Sequence, residues 1–168
     1  SGIQFMHSFG AAQLGSLLES TGSGCVWFDY NNDGFPDLYV VSGKPLEAGM
    51  HPYPLKQAPA VAPHNHLYKN NGDGTFTDVT DQAGVAANIF GTAAIAADFD
   101  NDGLVDLFVT VVGRAILYRN KGDGTFEDVT AKAGIHVDVG SISSAWLDYD
   151  RDGCVDVFVG LYVKFDPK

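Results

Sequence analysis

Asp98-Phe99-Asp100-Asn101-Asp102-Gly103-Leu104-Val105-Asp106 sets carboxylates at loop positions 1, 3, 5 and 9 and a glycine at position 6. Alternate spacing lets a tightly curled loop aim successive carboxylates at one hard cation. The glycine permits the sharp turn, and the carbonyl of position 7 can add another oxygen. An oxygen-only donor set with no nearby His or Cys favours calcium over zinc or copper. Carboxylates packed this closely repel one another unless a cation sits between them. The pattern returns as Asp29, Asn31, Asp33, Gly34, Asp37 and again as Asp148, Asp150, Asp152, Gly153, Asp156. An accidental acidic turn explains one match poorly and three matches in 168 residues hardly at all.

Working outward, Leu67 to Thr80 (Leu-Tyr-Lys-Asn-Asn-Gly-Asp-Gly-Thr-Phe-Thr-Asp-Val-Thr) recurs as Leu117 to Thr130 (Leu-Tyr-Arg-Asn-Lys-Gly-Asp-Gly-Thr-Phe-Glu-Asp-Val-Thr). The offset is 50 residues, the same as from Asp98 to Asp148, so the chain is built from a 50-residue unit. Short apolar runs precede each acidic loop, at Cys25 to Phe28, Ala94 to Ala97 and Ser144 to Leu147. Runs rich in β-branched and aromatic residues follow, at Leu38 to Val41, Leu107 to Val112 and Val157 to Val163. Each loop therefore joins two strands. Leu-Tyr-x-Asn predicts a third strand, Asn-x-Gly-Asp-Gly a turn, and Thr-Phe-x-Asp-Val-Thr a fourth. Residues 81–84 and 131–134 predict a single helical turn or bend before the next unit. Four short antiparallel strands per unit is the arrangement of a propeller blade, so the expected fold is all-β.

The units run over about 24–84, 93–134 and 143–168 as one repeat region. Two stretches break the period. Residues 11–23 hold a candidate helical turn through Leu14, Leu17 and Leu18. Residues 42–66 are an insertion bearing Pro45, Pro52, Pro54, Pro59 and Pro63 with His51, His64 and His66, which predicts an extended surface loop. Ser1-Gly2-Ile3 aligns with the Ala-Gly-Val and Ala-Gly-Ile that close the units (83–85 and 133–135). The third unit lacks its Leu-Tyr-x-Asn strand. A closed propeller needs about four to eight blades, so the expectation is a portion of a longer propeller.

Composition narrows the function. A net charge of −11 argues against nucleic acid, whose phosphates require basic surface. Three divalent cations would cancel six of those eleven charges. A hydrophobic content of 45% is that of a folded chain, and no apolar run reaches membrane-spanning length. Cys25 and Cys154 fall in different repeats, and the reading favours two separate thiols over a disulfide. No nucleophile elbow, phosphate loop or zinc-protease helix is present, so the chain is expected not to be an enzyme. His64 and His66 share one side of an extended segment and could bind a transition metal, although solvated loop histidines is the plainer reading. Trp27 and Trp146, each two residues before a loop, are expected to pack in a core or between blades.

Gly2 to His7, Gly22 to Tyr30, the three acidic loops and both Asn-x-Gly-Asp-Gly-Thr-Phe-x-Asp-Val-Thr runs resemble the FG-GAP/VCBS repeat superfamily. The similarity is greatest to bacterial cartilage-acidic-protein-like proteins, which often carry an ASPIC/UnbV segment. Dockerins and EF-hands share the early spacing, but their loops lead into helices. The resemblance implies a β-propeller with one calcium per hairpin loop in a secreted or periplasmic protein. It carries over as metal ligands Asp29, Asn31, Asp33 and Asp37, then Asp98, Asp100, Asp102 and Asp106, then Asp148, Asp150, Asp152 and Asp156. Backbone oxygens would come from Phe35, Leu104 and Cys154. Asn31 departs from the acidic set and Arg151 lies beside the third loop, which implies that the second site binds most tightly. The expected function is a non-catalytic interaction or scaffolding module outside the cytoplasm, an accessory subunit that meets another protein or a membrane-anchored complex. The alternative is a propeller enzyme or lectin acting on polysaccharide. Within either, the insertion is expected to touch the partner.

Overall fold

A computed structural model describes residues 1–5, 24–43, 64–87, 90–137 and 140–163. The candidate helical turn at Leu14, Leu17 and Leu18, most of the insertion and His51 lie outside these residues.

The first sheet is an antiparallel meander of β1 (Cys25–Phe28), β2 (Asp37–Val40), β3 (His66–Asn70) and β4 (Phe76–Asp78). A single helical turn, α1 (Thr80–Ala83), ends on Gly84 in the left-handed conformation. The second sheet repeats the order with β5 (Gly91–Ala97), β6 (Asp106–Val111), β7 (Arg114–Asn120) and β8 (Phe126–Asp128). A hairpin follows, β9 (Gly140–Leu147) with β10 (Asp156–Val163). The all-β expectation of four antiparallel strands per unit is met in two complete sheets. Of the two segments read as a helical turn or bend, 81–84 is helical and 131–134 a turn.

Registers match between units, with Leu38 opposite Tyr68 in the first sheet and Leu107 opposite Tyr118 in the second. The acidic loops span the β1–β2, β5–β6 and β9–β10 connections. Each is anchored at its far end by the position 9 aspartate, which is the first residue of the following strand.

The core lies between sheets. Tyr39, Val41 and Leu67 of the first unit pack with Val85, Leu107, Val109 and Ile116, all nearly or fully buried. A second cluster joins Phe108, Leu117 and Val129 to Trp146 and Val157 of the hairpin. β6 is buried along its whole length because it is covered on both faces. The sheets are also stitched by backbone bonds, Gly24 N to Thr92 O at 3.1 Å and Gly91 N to Ser42 O at 3.2 Å. A Cβ at Gly91 would strike the Val41 side chain, so only glycine allows the second sheet this near the first. Ser1 O accepts from Phe76 N at 2.9 Å, which seats the opening segment beside β4.

Three expectations need correction. The insertion does not extend to position 66: His66 begins β3, and Ser42 and Asn65 are buried and joined by a Ser42 N to Asn65 Oδ1 bond of 2.9 Å. His64 and His66 are half-buried rather than solvated, because the Phe5 and Tyr68 rings close around His66. Trp146 packs edge-on against Phe108 of the preceding sheet, but Trp27 is 55% exposed and leans on Phe76 of its own sheet. Among the described residues no sheet precedes β1 to cover it. Both cysteines are free, as the separate-repeat argument favoured.

Candidate metal centre

Each acidic loop curls because its position 1 aspartate captures backbone amides. Asp98 Oδ1 accepts from Asp102 N at 3.0 Å, and Oδ2 from Gly103 N at 2.9 Å. Asp29 does the same with Asp33 and Gly34, and Asp148 with Asp152 and Gly153. The bend requires left-handed backbone at positions 4 and 6. Gly34, Gly103 and Gly153 supply the second with φ of 86–89°. Asn32, Asn101 and Arg151 supply the first with φ of 55°, 58° and 64°, and arginine is the costliest of the three there.

Position 9 locks the loop to the sheet. Asp106 Oδ2 accepts from Phe99 N at 3.0 Å, while Oδ1 accepts from Asn120 N at 2.7 Å in β7. Asp37 repeats this with Tyr30 N and Asn70 N, and both aspartates are fully buried. Asp156 bonds Tyr149 N but is exposed. The Asn of each Leu-Tyr-x-Asn segment thus holds the loop from the neighbouring strand. Its amide also donates to the position 8 carbonyl, from Asn70 to Pro36 O and from Asn120 to Val105 O.

Carboxylate oxygens of Asp98, Asp100 and Asp106 all lie within 4.8 Å of one another, as do those of Asp148, Asp150 and Asp156. Two oxygens bound to one calcium at about 2.4 Å can be up to about 4.8 Å apart, so both triplets fit a single hard cation. In the first loop Asn31 replaces the position 3 carboxylate, leaving Asp29 and Asp37 with a neutral amide oxygen. The position 5 side chains fall outside the two triplets. Instead Asp33, Asp102 and Asp152 cap their own loops through the amides of Phe35, Leu104 and Cys154 at 2.8–3.0 Å. The same three residues were the expected carbonyl donors.

Two sets of residues escaped the sequence reading. Arg119 donates from Nε to Asp100 Oδ2 at 2.6 Å and from Nη2 to Asp102 Oδ2 at 2.8 Å. Lys69, at the same repeat position, reaches Asp33 Oδ2 at 3.5 Å. The signal was the variable residue of Leu-Tyr-x-Asn, which is basic in both units. The second set links successive loops: Asn32 Nδ2 donates to Gly103 O at 3.4 Å, and Asn101 Nδ2 to Gly153 O at 3.3 Å. The three loops therefore form one continuous band.

Burial, helped by the nearby Asp100 and Asp102 charges, pushes the Asp106 carboxyl up to about 6, against the two backbone bonds that lower it. Asp37 is raised for the same chief reason. A carboxyl whose folded pKa exceeds its unfolded one (3.8) favours the fold when protonated. Its contribution is complete below about 3.8 and lost as pH rises through about 6. Metal-free protein should accordingly gain stability on acidification from pH ~7 to ~5, by about 1.4 kcal/mol from Asp106, since only the unit below about 6 counts at ~1.4 kcal/mol per unit. Urea titrations across that range in chelator check this, and Asp106→Asn should flatten the rise.

No helix among the described residues is long and apolar enough to cross a membrane. No curated protein matches the chain. The family model for the FG-GAP-like repeat matches residues 60–109 and 98–159, overlapping at the second acidic loop. With two matched repeats covering more than half of its length, the chain belongs to the FG-GAP-like repeat family.

Proposed function

We propose that this chain is a non-catalytic, calcium-binding portion of a β-propeller that serves as an interaction or scaffolding module outside the cytoplasm. The observation that carries this is the recurrence of one acidic triplet at the same hairpin of successive units. Calcium suits the donors, being hard, tolerant of irregular geometry and content with six to eight oxygens. The residues that would hold it are Asp29, Asn31 and Asp37, then Asp98, Asp100 and Asp106, then Asp148, Asp150 and Asp156. The position 5 aspartates and the carbonyls of Phe35, Leu104 and Cys154 complete the set. Bound calcium would neutralise the clustered carboxylates and join both strands of each hairpin to one centre. The expected Kd is on the order of 10⁻⁴ to 10⁻³ M, the range of extracellular calcium modules. FG-GAP-like repeats are typical of extracellular proteins, which supports a secreted or periplasmic setting. The sheet stacking supports closure into a propeller, and the cartilage-acidic-protein-like resemblance supports an accessory subunit of a larger complex.

Arg119 alters the expected order of the sites. Its guanidinium already bridges Asp100 and Asp102, so calcium at the second loop meets a resident positive charge. Replacing it with glutamine should tighten that site about threefold to tenfold, the size expected of one charge at several ångströms in a mostly aqueous setting. Calcium calorimetry on Arg119→Gln, with Asp29→Asn and Asp148→Asn silencing the other loops, measures it. Weaker binding would mean that Arg119 organises the loop instead.

The insertion is the proposed contact with a partner protein, since the sheets repeat and it does not. Residues Ser42 and Asn65 pin its two ends together, which makes a clean excision feasible. Deleting residues 44–63 and joining Gly43 to His64 should keep the calcium-dependent melt and abolish the partner captured by cross-linking in the producing cells. Retained capture, or an unfolded domain, overturns the assignment.

A further inference from the structure

We propose that His64 and His66 form a transition-metal site, independent of the acidic loops, that takes one zinc-class divalent ion between His64 Nδ1 and His66 Nε2. These nitrogens are 3.2 Å apart. Two imidazole nitrogens each about 2.1 Å from one tetrahedral ion lie about 3.4 Å apart, close to the separation already present. The ring centroids are only 4.2 Å apart and the planes meet at 62°. In the metal-free chain His64 Nδ1–H donates to His66 Nε2 across this gap, and an ion held by both nitrogens would displace that proton.

The surroundings prepare the pair. The Asp78 carboxylate lies 2.8 Å from His66 Nδ1. A carboxylate only accepts, so His66 Nδ1–H donates to it, which leaves Nε2 as the unprotonated nitrogen facing His64. This is the carboxylate–histidine arrangement that orients metal-bound imidazoles. Asp78 is itself fixed, its other oxygen accepting from the Thr80 amide and hydroxyl. Tyr68 stacks on His66 at 5.5 Å and 9°, and Phe5 meets it edge-on at 5.8 Å, which settles the ring. Burial, then the neighbouring His66, holds the His64 imidazole below its ordinary pKa and keeps it in the neutral, ligating form. The Asp81 and Asp78 charges pull the other way, more weakly. Imidazole donors suit zinc, copper and nickel rather than calcium, so the two kinds of centre do not compete. Water would fill the remaining positions. In the second unit Arg114 and Ile116 stand at the equivalent places, so the site is particular to the first sheet.

The test is a titration of the full chain with zinc chloride, and separately cobalt chloride, in calcium sufficient to fill the acidic loops. One zinc should bind with low-micromolar affinity, and cobalt should develop the visible absorption of low-symmetry nitrogen coordination. His64→Gln and His66→Gln should each weaken zinc by about 100-fold, and Asp78→Asn by about 10-fold through the freed His66 ring. His64 is half-buried and lies two residues before β3, outside the sheet, so His64→Gln should keep the calcium-dependent melt and report on metal alone. Zinc bound as tightly by His64→Gln as by the natural chain, or cobalt without visible bands, would show that the two rings merely share a proton and overturn the proposal.

Discussion

Asp106→Ala should cost about 3 kcal/mol of folding stability and abolish calcium binding at the second loop, although no part of the side chain is exposed. The size follows from what it leaves behind. Phe99 N and Asn120 N each lose their acceptor in a buried setting, and an unsatisfied buried amide costs roughly 1–3 kcal/mol. Asn120 then also loses its place between Val105 O of its own loop and Tyr30 O of the preceding one, at 3.0 and 2.7 Å. The loss therefore propagates to the first unit. Asp102→Ala is the control: this side chain is exposed, bonded to Leu104 N and Arg119, and should cost less than about 1 kcal/mol. Urea denaturation of both variants, in chelator to isolate the hydrogen bonds from the metal, separates them. Equal losses would mean that position 9 acts only through the cation.

The repeat made the sheets legible from sequence, because each unit served as a check on the other. Cys25–Phe28 was placed to the residue, and the other strand positions differ mainly in where the ends fall. β5 and β9 start earlier than their apolar cores suggest, at Gly91 and Gly140, because the inner ends pair across sheets, as in Thr92 Oγ1 to Ser141 O at 2.7 Å. No periodicity encodes that contact. At the site, the spacing of positions 1, 3 and 9 was enough to find the triplets. It could not tell position 5 from the rest, since the distinction is whether a carboxylate turns inward or caps the amide two residues on. Nor could it find Lys69 and Arg119, which reach the loops from the third strand of the meander. Those contacts depend on strand order, which the linear spacing leaves implicit. Asn32 and Asn101 were readable as left-handed turn residues, but their bonds to the next unit require the stacking of sheets.

Proline density overstates the insertion for a related reason. Proline density marks where regular pairing stops, but after Pro63, the last proline of the insertion, Asn65 is buried and His66 already begins β3. Asn65 is fully buried, donating to the Tyr39 hydroxyl at 2.9 Å while that hydroxyl donates to Val85 O. An asparagine beside a proline-rich loop gives no hint in sequence that it closes a core network.

Calcium-dependent melting tests the central claim, that the acidic band holds cations which stabilise the fold. At 10 mM calcium a site with Kd near 10⁻⁴ M is filled about a hundredfold over its Kd, which stabilises the folded state by about 2.7 kcal/mol. For a domain of this size that raises the transition by about 5–10 °C per occupied site. The melt should therefore shift upward by at least that amount between chelator and calcium, and by much less with the same concentration of magnesium, which demands a tighter octahedral cage. A transition that stays in place with calcium, or moves equally with magnesium, would contradict the account.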